Sequence, residues 1–114
     1  SFPIQIDKSI IKVKRNKIVK ALNAEGIKIN EGYTNLHLLP MYQNKIAYGS
    51  NGFPWNSSIC KREVSYAKGI CPNAELLNSE TFMSIGISEY DYNMRDIDYI
   101  IKGFKKVWLN LDKL

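Results

Sequence analysis

Histidine occurs once in these 114 residues and cysteine twice, and neither count supports a metal site. Cys60 and Cys71 stand eleven positions apart, with no second pair and no histidine beside them. Zinc ligation needs about four such donors at close spacing, so no metal ligands are nominated. A run of some twenty apolar residues is also missing, which excludes a transmembrane helix. No basic-then-apolar leader opens the chain, and a reduced, cytoplasmic setting is the expectation. The glycosylation pattern at Asn56 is therefore read as chance. Gly49 to Gly52 is too short, and lacks the strand-to-helix context, to be a phosphate-binding loop. Internal repeats and low-complexity tracts are absent.

What is present is an ordinary globular composition, 45% hydrophobic and 24% charged. One domain of this length can bury a core without staples. Phe2, Ile4 and Ile6 alternate with polar neighbours and predict a strand over residues 2–7. A chain that opens inside a strand is read as a segment whose upstream part is missing. Residues 15–25 predict a helix that turns Ile18, Val19 and Leu22 inward and Lys17, Lys20 and Asn23 outward. Gly26 suits the left-handed position behind it. Ile27 and Ile29 predict a second strand, and Gly32 permits the turn after it.

From Tyr33 to about Gly69 the periodicity dissolves, apart from a short helix around 41–47. Loops beyond roughly 12–15 residues are uncommon in compact domains and often functional. The aromatics between Tyr42 and Trp55 are read as an interface or as cover for the domain's own core edge. Pro72 predicts the first position of a helix over 72–81. Phe82, Ile85 and Ile87 predict a third strand, broken by Gly86. Asn93 and Asp96 resemble a capping pair for the last helix, 94–109. There Ile97, Ile100, Ile101, Phe104, Trp108 and Leu111 form one stripe. These elements predict a two-layer α+β sandwich. It has a three-stranded, mainly antiparallel sheet with both long helices on one face, the other face being left for a neighbour.

Charge is uneven. Residues 1–57 carry 8 Lys/Arg against 3 acids, and residues 58–114 carry 8 against 8. The excess around Lys8, Lys12, Lys14, Arg15, Lys17 and Lys20 lacks interleaved aromatics. It is read as a solvated helix face with its loop, and nucleic acid is not the expected partner. Glu89, Asp91, Asp96 and Asp98 gather at a helix N-terminus, where the helix dipole accounts for them, and Tyr90 and Tyr92 beside them are read as packing residues. His37, in an apolar stretch, is read from chemistry alone as a structural residue before a catalytic one.

Five segments, in order, resemble one family. Val19 to Ile27 is similar to the small-domain helix of the DegT/DnrJ/EryC1/StrS aminotransferases. Tyr33 to Tyr42, with Leu36-His37-Leu38-Leu39-Pro40-Met41-Tyr42, resembles their "PLHLQP" stretch, with Asn35 and Leu39 where the family often has Pro and Gln. Phe53-Pro54-Trp55 resembles an aromatic turn that some members carry. Cys71 to Glu75 resembles their "CPxAE", and Ile97 to Trp108 their final helix.

The resemblance implies that residues 1–114 are the C-terminal small domain of a fold-type I enzyme using pyridoxal phosphate. Such enzymes move an amino group, commonly from glutamate, to a keto group on a nucleotide-linked sugar or a related ring. The Schiff-base lysine and the acid on the pyridine nitrogen lie in the family's large domain, so no catalytic residue is nominated and the segment alone is expected to be inactive. Its implied partners are that upstream large domain and, in the complete enzyme, a second subunit of a homodimer. By the same resemblance, Tyr33 and His37 line the substrate cleft, where they hydrogen-bond a sugar hydroxyl or a phosphate oxygen. Two other readings stay open. One is a non-catalytic interaction module descended from the family; the other is an independent nucleic-acid-binding domain.

Overall fold

The computed structural model describes residues 1–49 and 51–114; Ser50, within the Gly49–Gly52 stretch, lies outside them. The chain divides into two compact units, one of residues 1–33 and 77–114, the other of residues 34–76.

Unit 1 carries the sheet. Its strands are β1 (Phe2–Gln5), β2 (Ile29–Glu31) and β3 (Phe82–Ile85). They are antiparallel in the order β1-β3-β2. Register sets the faces. Phe2 and Ile29 both lie opposite Ile85, and Ile4 and Glu31 both lie opposite Met83, so these side chains share one side of the pleat. Against that side packs helix α1 (Arg15–Ala24) with Ile18 and Leu22, neither of which retains any exposure. Met83 is equally closed. Each such side chain contributes about 1.5–3 kcal/mol relative to exposure. On the opposite face Pro3, Gln5 and Asn30 are exposed, while Ser84 of the central strand is buried. The α+β class expected from periodicity is the one found.

Element boundaries differ from the periodic reading where local hydrogen bonds intervene. β1 stops at Gln5 because the Asp7 carboxylate accepts from the Ser9 N–H at 2.8 Å and its hydroxyl at 2.6 Å, turning the chain aside. Ile27 belongs to the cap of α1 and not to β2. Its N–H donates to Leu22 O at 3.0 Å, and that of Gly26 (φ +83°) to Asn23 O at 3.0 Å, which is the Schellman arrangement. The helix expected over 72–81 is two elements. These are α3 (Pro72–Leu76), which begins at the proline as expected, and a π-helical turn, Leu77–Thr81. β3 ends at Ile85, short of Ile87.

The last helix, α4 (Met94–Trp108), opens with a complete capping box. The Asn93 side chain accepts from Arg95 N and Asp96 N, and Asn93 N donates to the Asp96 carboxylate. Its inward face is shifted from the expected stripe. Ile100, Phe104, Val107 and Trp108 pack on the core, while Ile101 is half exposed. Gly103 sits at the centre of that face because α4 approaches the end of α1 there: a Cβ would come within 2.5 Å of Ile27 Cδ1.

Unit 2 holds a 3-10 turn (Leu36–Leu38), α2 (Pro40–Gln43) and α3. The short helix expected over 41–47 is found as four residues only: it begins one residue earlier and stops at Gln43, ahead of the turn that places Lys45 at φ 51°. None of the described residues of this unit is fully buried. Its centre is an aromatic knot. Tyr42 and Trp55 meet edge to face at 6.3 Å between centroids, Tyr42 and Tyr66 lie 5.2 Å apart, and Trp55 Nε1 donates to the Tyr66 hydroxyl at 3.0 Å. Tyr42 and Trp55 therefore serve this unit's own packing. Tyr48 and Phe53 pair with each other at 6.2 Å and remain substantially exposed.

Candidate functional site

His37 and Tyr33 fall in different units, so each is placed by its own surroundings. His37 lies in the 3-10 turn of unit 2, where helical winding brings its ring towards α3. Its Nε2 is 2.9 Å from Glu75 Oε1, with the two side chains 10% and 14% exposed. The same carboxylate oxygen accepts from Gly69 N–H at 2.7 Å. Gln43 Nε2 closes the turn from behind, donating to His37 O at 2.6 Å and also to Tyr66 O. His37 thus ties the 3-10 turn to α3, and Glu75 is the fixed end of that tie. A ring oriented through one nitrogen presents the other in a set direction, a prerequisite for selective hydrogen bonding.

Glu75 escaped the sequence reading, which treated it as part of a helix-opening motif. A glutamate in the first turn of a helix has an ordinary dipole explanation, and only folding brings His37, 38 positions away in sequence, to it.

The Gly69 N–H, first, and the His37 ring hold the Glu75 carboxyl below its ordinary value of 4.5. A carboxylate with a lowered folded value stabilises the fold above its unfolded value, and the contribution is lost as pH falls through the folded one. Trp55 fluorescence, reporting the knot of unit 2, is therefore expected to hold at pH 5 and to change at more acid pH. Glu75→Gln should abolish this step; an unchanged acid midpoint in that variant would assign the step elsewhere.

Tyr33 closes the first half of unit 1, two residues beyond the end of β2, and its side chain is almost fully presented: the residue is 76% exposed. Its backbone is anchored. Tyr33 N–H donates to Asn78 Oδ1, and Gly32 N–H donates to Phe82 O at 3.0 Å. Below them lies Arg15, whose side chain is only 11% exposed. Its Nη1 reaches Asn78 O at 2.7 Å, Phe82 O at 3.1 Å and Leu77 O at 3.3 Å. Arg15 is thus a correction to the reading of the basic patch as a solvated face. Lys8, by contrast, is exposed and paired with Glu80.

The lysines do not fit the role of a cofactor anchor. None among the described residues is buried. Lys8, Lys28 and Lys106 are paired with Glu80, Glu89 and Glu25, and the Lys28 ammonium is pushed up by Glu89 and Tyr90. A Schiff-base lysine needs the opposite, a desolvated or cation-flanked amine of lowered pKa. No group of three or more metal-ligating side chains occurs among the described residues, and both cysteines are free thiols. Among the described residues no helix is long and apolar enough to cross a membrane.

A three-stranded antiparallel sheet with α1 against one face and α4 packed on the same core, and with a 43-residue unit inserted in the chain between β2 and β3, makes an α+β small domain. The chain belongs to the DegT/DnrJ/EryC1/StrS aminotransferase family, whose model matches residues 1–81. The matched range contains β1, α1, β2, all of unit 2 and the π-helical turn, hence Arg15, Tyr33, His37, Glu75 and Asn78. No curated protein and no solved structure matches the chain.

Proposed function

We propose that this chain is the C-terminal small domain of a pyridoxal-phosphate-dependent aminotransferase that transfers an amino group from glutamate to a keto sugar carried on a nucleotide. The observation that carries this reading is the family match over residues 1–81. The cofactor supplies the electron sink for the transfer and is held by an upstream large domain. This segment contributes one wall of the substrate cleft, is inactive by itself, and works in a cytoplasmic homodimer.

Two features of the chain support the cleft role. Tyr33 offers a phenol on an immobilised backbone, and His37 offers a ring nitrogen set by Glu75. Donors and acceptors fixed in this way discriminate because a substrate lacking the matching hydroxyl leaves them unpaired. In the full-length enzyme, Tyr33→Phe and His37→Ala are each expected to raise KM for the keto-sugar acceptor roughly tenfold, the loss of one good hydrogen bond. KM for glutamate and the absorbance band of the bound cofactor should stay unchanged. Wild-type KM for the acceptor in both variants would remove these residues from the cleft. A full-length protein that holds no pyridoxal phosphate would instead favour the non-catalytic module.

A further inference from the structure

We infer that Asn78, locked by Arg15, is the positioning residue that aims Tyr33 at the substrate. This rests on the reading of Tyr33 as a substrate contact. A side chain as exposed as that of Tyr33 is not aimed by packing, so its direction comes from its backbone. That backbone has two anchors. One is the Asn78 side-chain oxygen on Tyr33 N–H; the other is Phe82 O on Gly32 N–H.

The two residues that carry these anchors meet on one nitrogen, through their backbone carbonyls. Arg15 Nη1 donates to Asn78 O at 2.7 Å and to Phe82 O at 3.1 Å. The π-helical turn makes the convergence possible. Its wider winding turns the Leu77 and Asn78 carbonyls towards the guanidinium, and such turns recur at functional sites.

Gly32 completes the arrangement. At φ +71°, a Cβ there would lie 2.6 Å from Asn78 O and 2.8 Å from Asn78 Oδ1. The glycine therefore lets Asn78 close directly over the loop. A largely buried guanidinium, a side-chain amide and an unsubstituted Cα form one relay from the start of α1 to Tyr33. In this reading the relay's effect on the acceptor passes through Tyr33.

The test is a double-mutant cycle in the full-length enzyme, read as KM for the keto-sugar acceptor. Asn78→Leu removes the acceptor at near-constant volume, and Asn78→Asp retains an oxygen for Tyr33 N–H. Asn78→Leu is expected to raise KM about five- to tenfold in the wild-type background and less than twofold beside Tyr33→Ala, because coupled residues are not additive. Asn78→Asp should restore most of the loss, and amide exchange at Tyr33 should quicken at least tenfold in Asn78→Leu. An Asn78→Leu effect of the same size in both backgrounds, or none in either, overturns the positioning role while leaving Tyr33 a substrate contact. Should Tyr33→Ala itself leave KM untouched, the cleft reading of Tyr33 fails first and the positioning role falls with it.

Discussion

Replacing Arg15 with methionine is expected to cost unit 1 about 3 kcal/mol, more than truncating any of its surface lysines. Methionine keeps the aliphatic stem but removes the donor from three carbonyls, those of Leu77, Asn78 and Phe82. A hydrogen bond from a charged donor is worth about 1.5–3 kcal/mol, while Phe82 O keeps the Gly32 N–H as a donor in the variant. The three bonds share one nitrogen, so their contributions do not sum. Arg15→Lys keeps the charge and should still lose most of the stability, because one ammonium does not reproduce the guanidinium's planar donor set. Urea denaturation followed by Trp108 fluorescence, in a Trp55→Phe background, reads unit 1 alone. A midpoint within error of the parent for Arg15→Met would reduce the clamp to a surface contact.

The second large effect is expected at Gly32, and its control is built into the same unit. Gly26 and Gly32 both adopt positive φ, at +83° and +71°. A Cβ at Gly26 meets nothing within 4 Å, whereas at Gly32 it strikes the carbonyl and the side-chain oxygen of Asn78. Gly26→Ala therefore carries only the left-handed backbone penalty, about 1 kcal/mol. Gly32→Ala carries that penalty and must also displace Asn78, breaking its contacts to Tyr33 and Arg15, for roughly 3 kcal/mol in all. The same denaturation measurement compares the two. Equal losses would mean that the loop moves freely away from Asn78. In the full-length enzyme, Gly32→Ala should also show the raised acceptor KM of Asn78→Leu, since both free Tyr33 from its anchor.

The two candidate residues show how far a sequence reaches towards a site. Tyr33 and His37 stand out in sequence because they lie in an irregular stretch that resembles a family motif. Their partners do not. Glu75 looks like a first-turn carboxylate, Asn78 like a polar position on a continuing helix, and Arg15 like one more cation in a basic patch. Each belongs to a residue type with a sufficient local explanation. Their roles arise from approaches across 38, 45 and 63 positions, between His37 and Glu75, Tyr33 and Asn78, and Arg15 and Asn78. Local patterning carries no record of such distances.

The elements followed the opposite rule. Ile18, Val19 and Leu22 on one helical face, Gly26 behind it, and the Asn93–Asp96 box before α4 were all legible. Helical periodicity and capping are interactions between near neighbours, and near neighbours are what a sequence states directly. The same locality gave three strands and their class. It could not state that the strand beginning at Phe82 sits centrally, that Gly103 admits the edge of Ile27, or that residues 72–81 break into an α-helical and a π-helical turn. Those features depend on which surfaces meet. In this protein, Arg15 reaches the carbonyls of Leu77, Asn78 and Phe82 only because the sheet brings β3 between its two partners, and Gly103 meets Ile27 only because α4 comes up to the cap of α1.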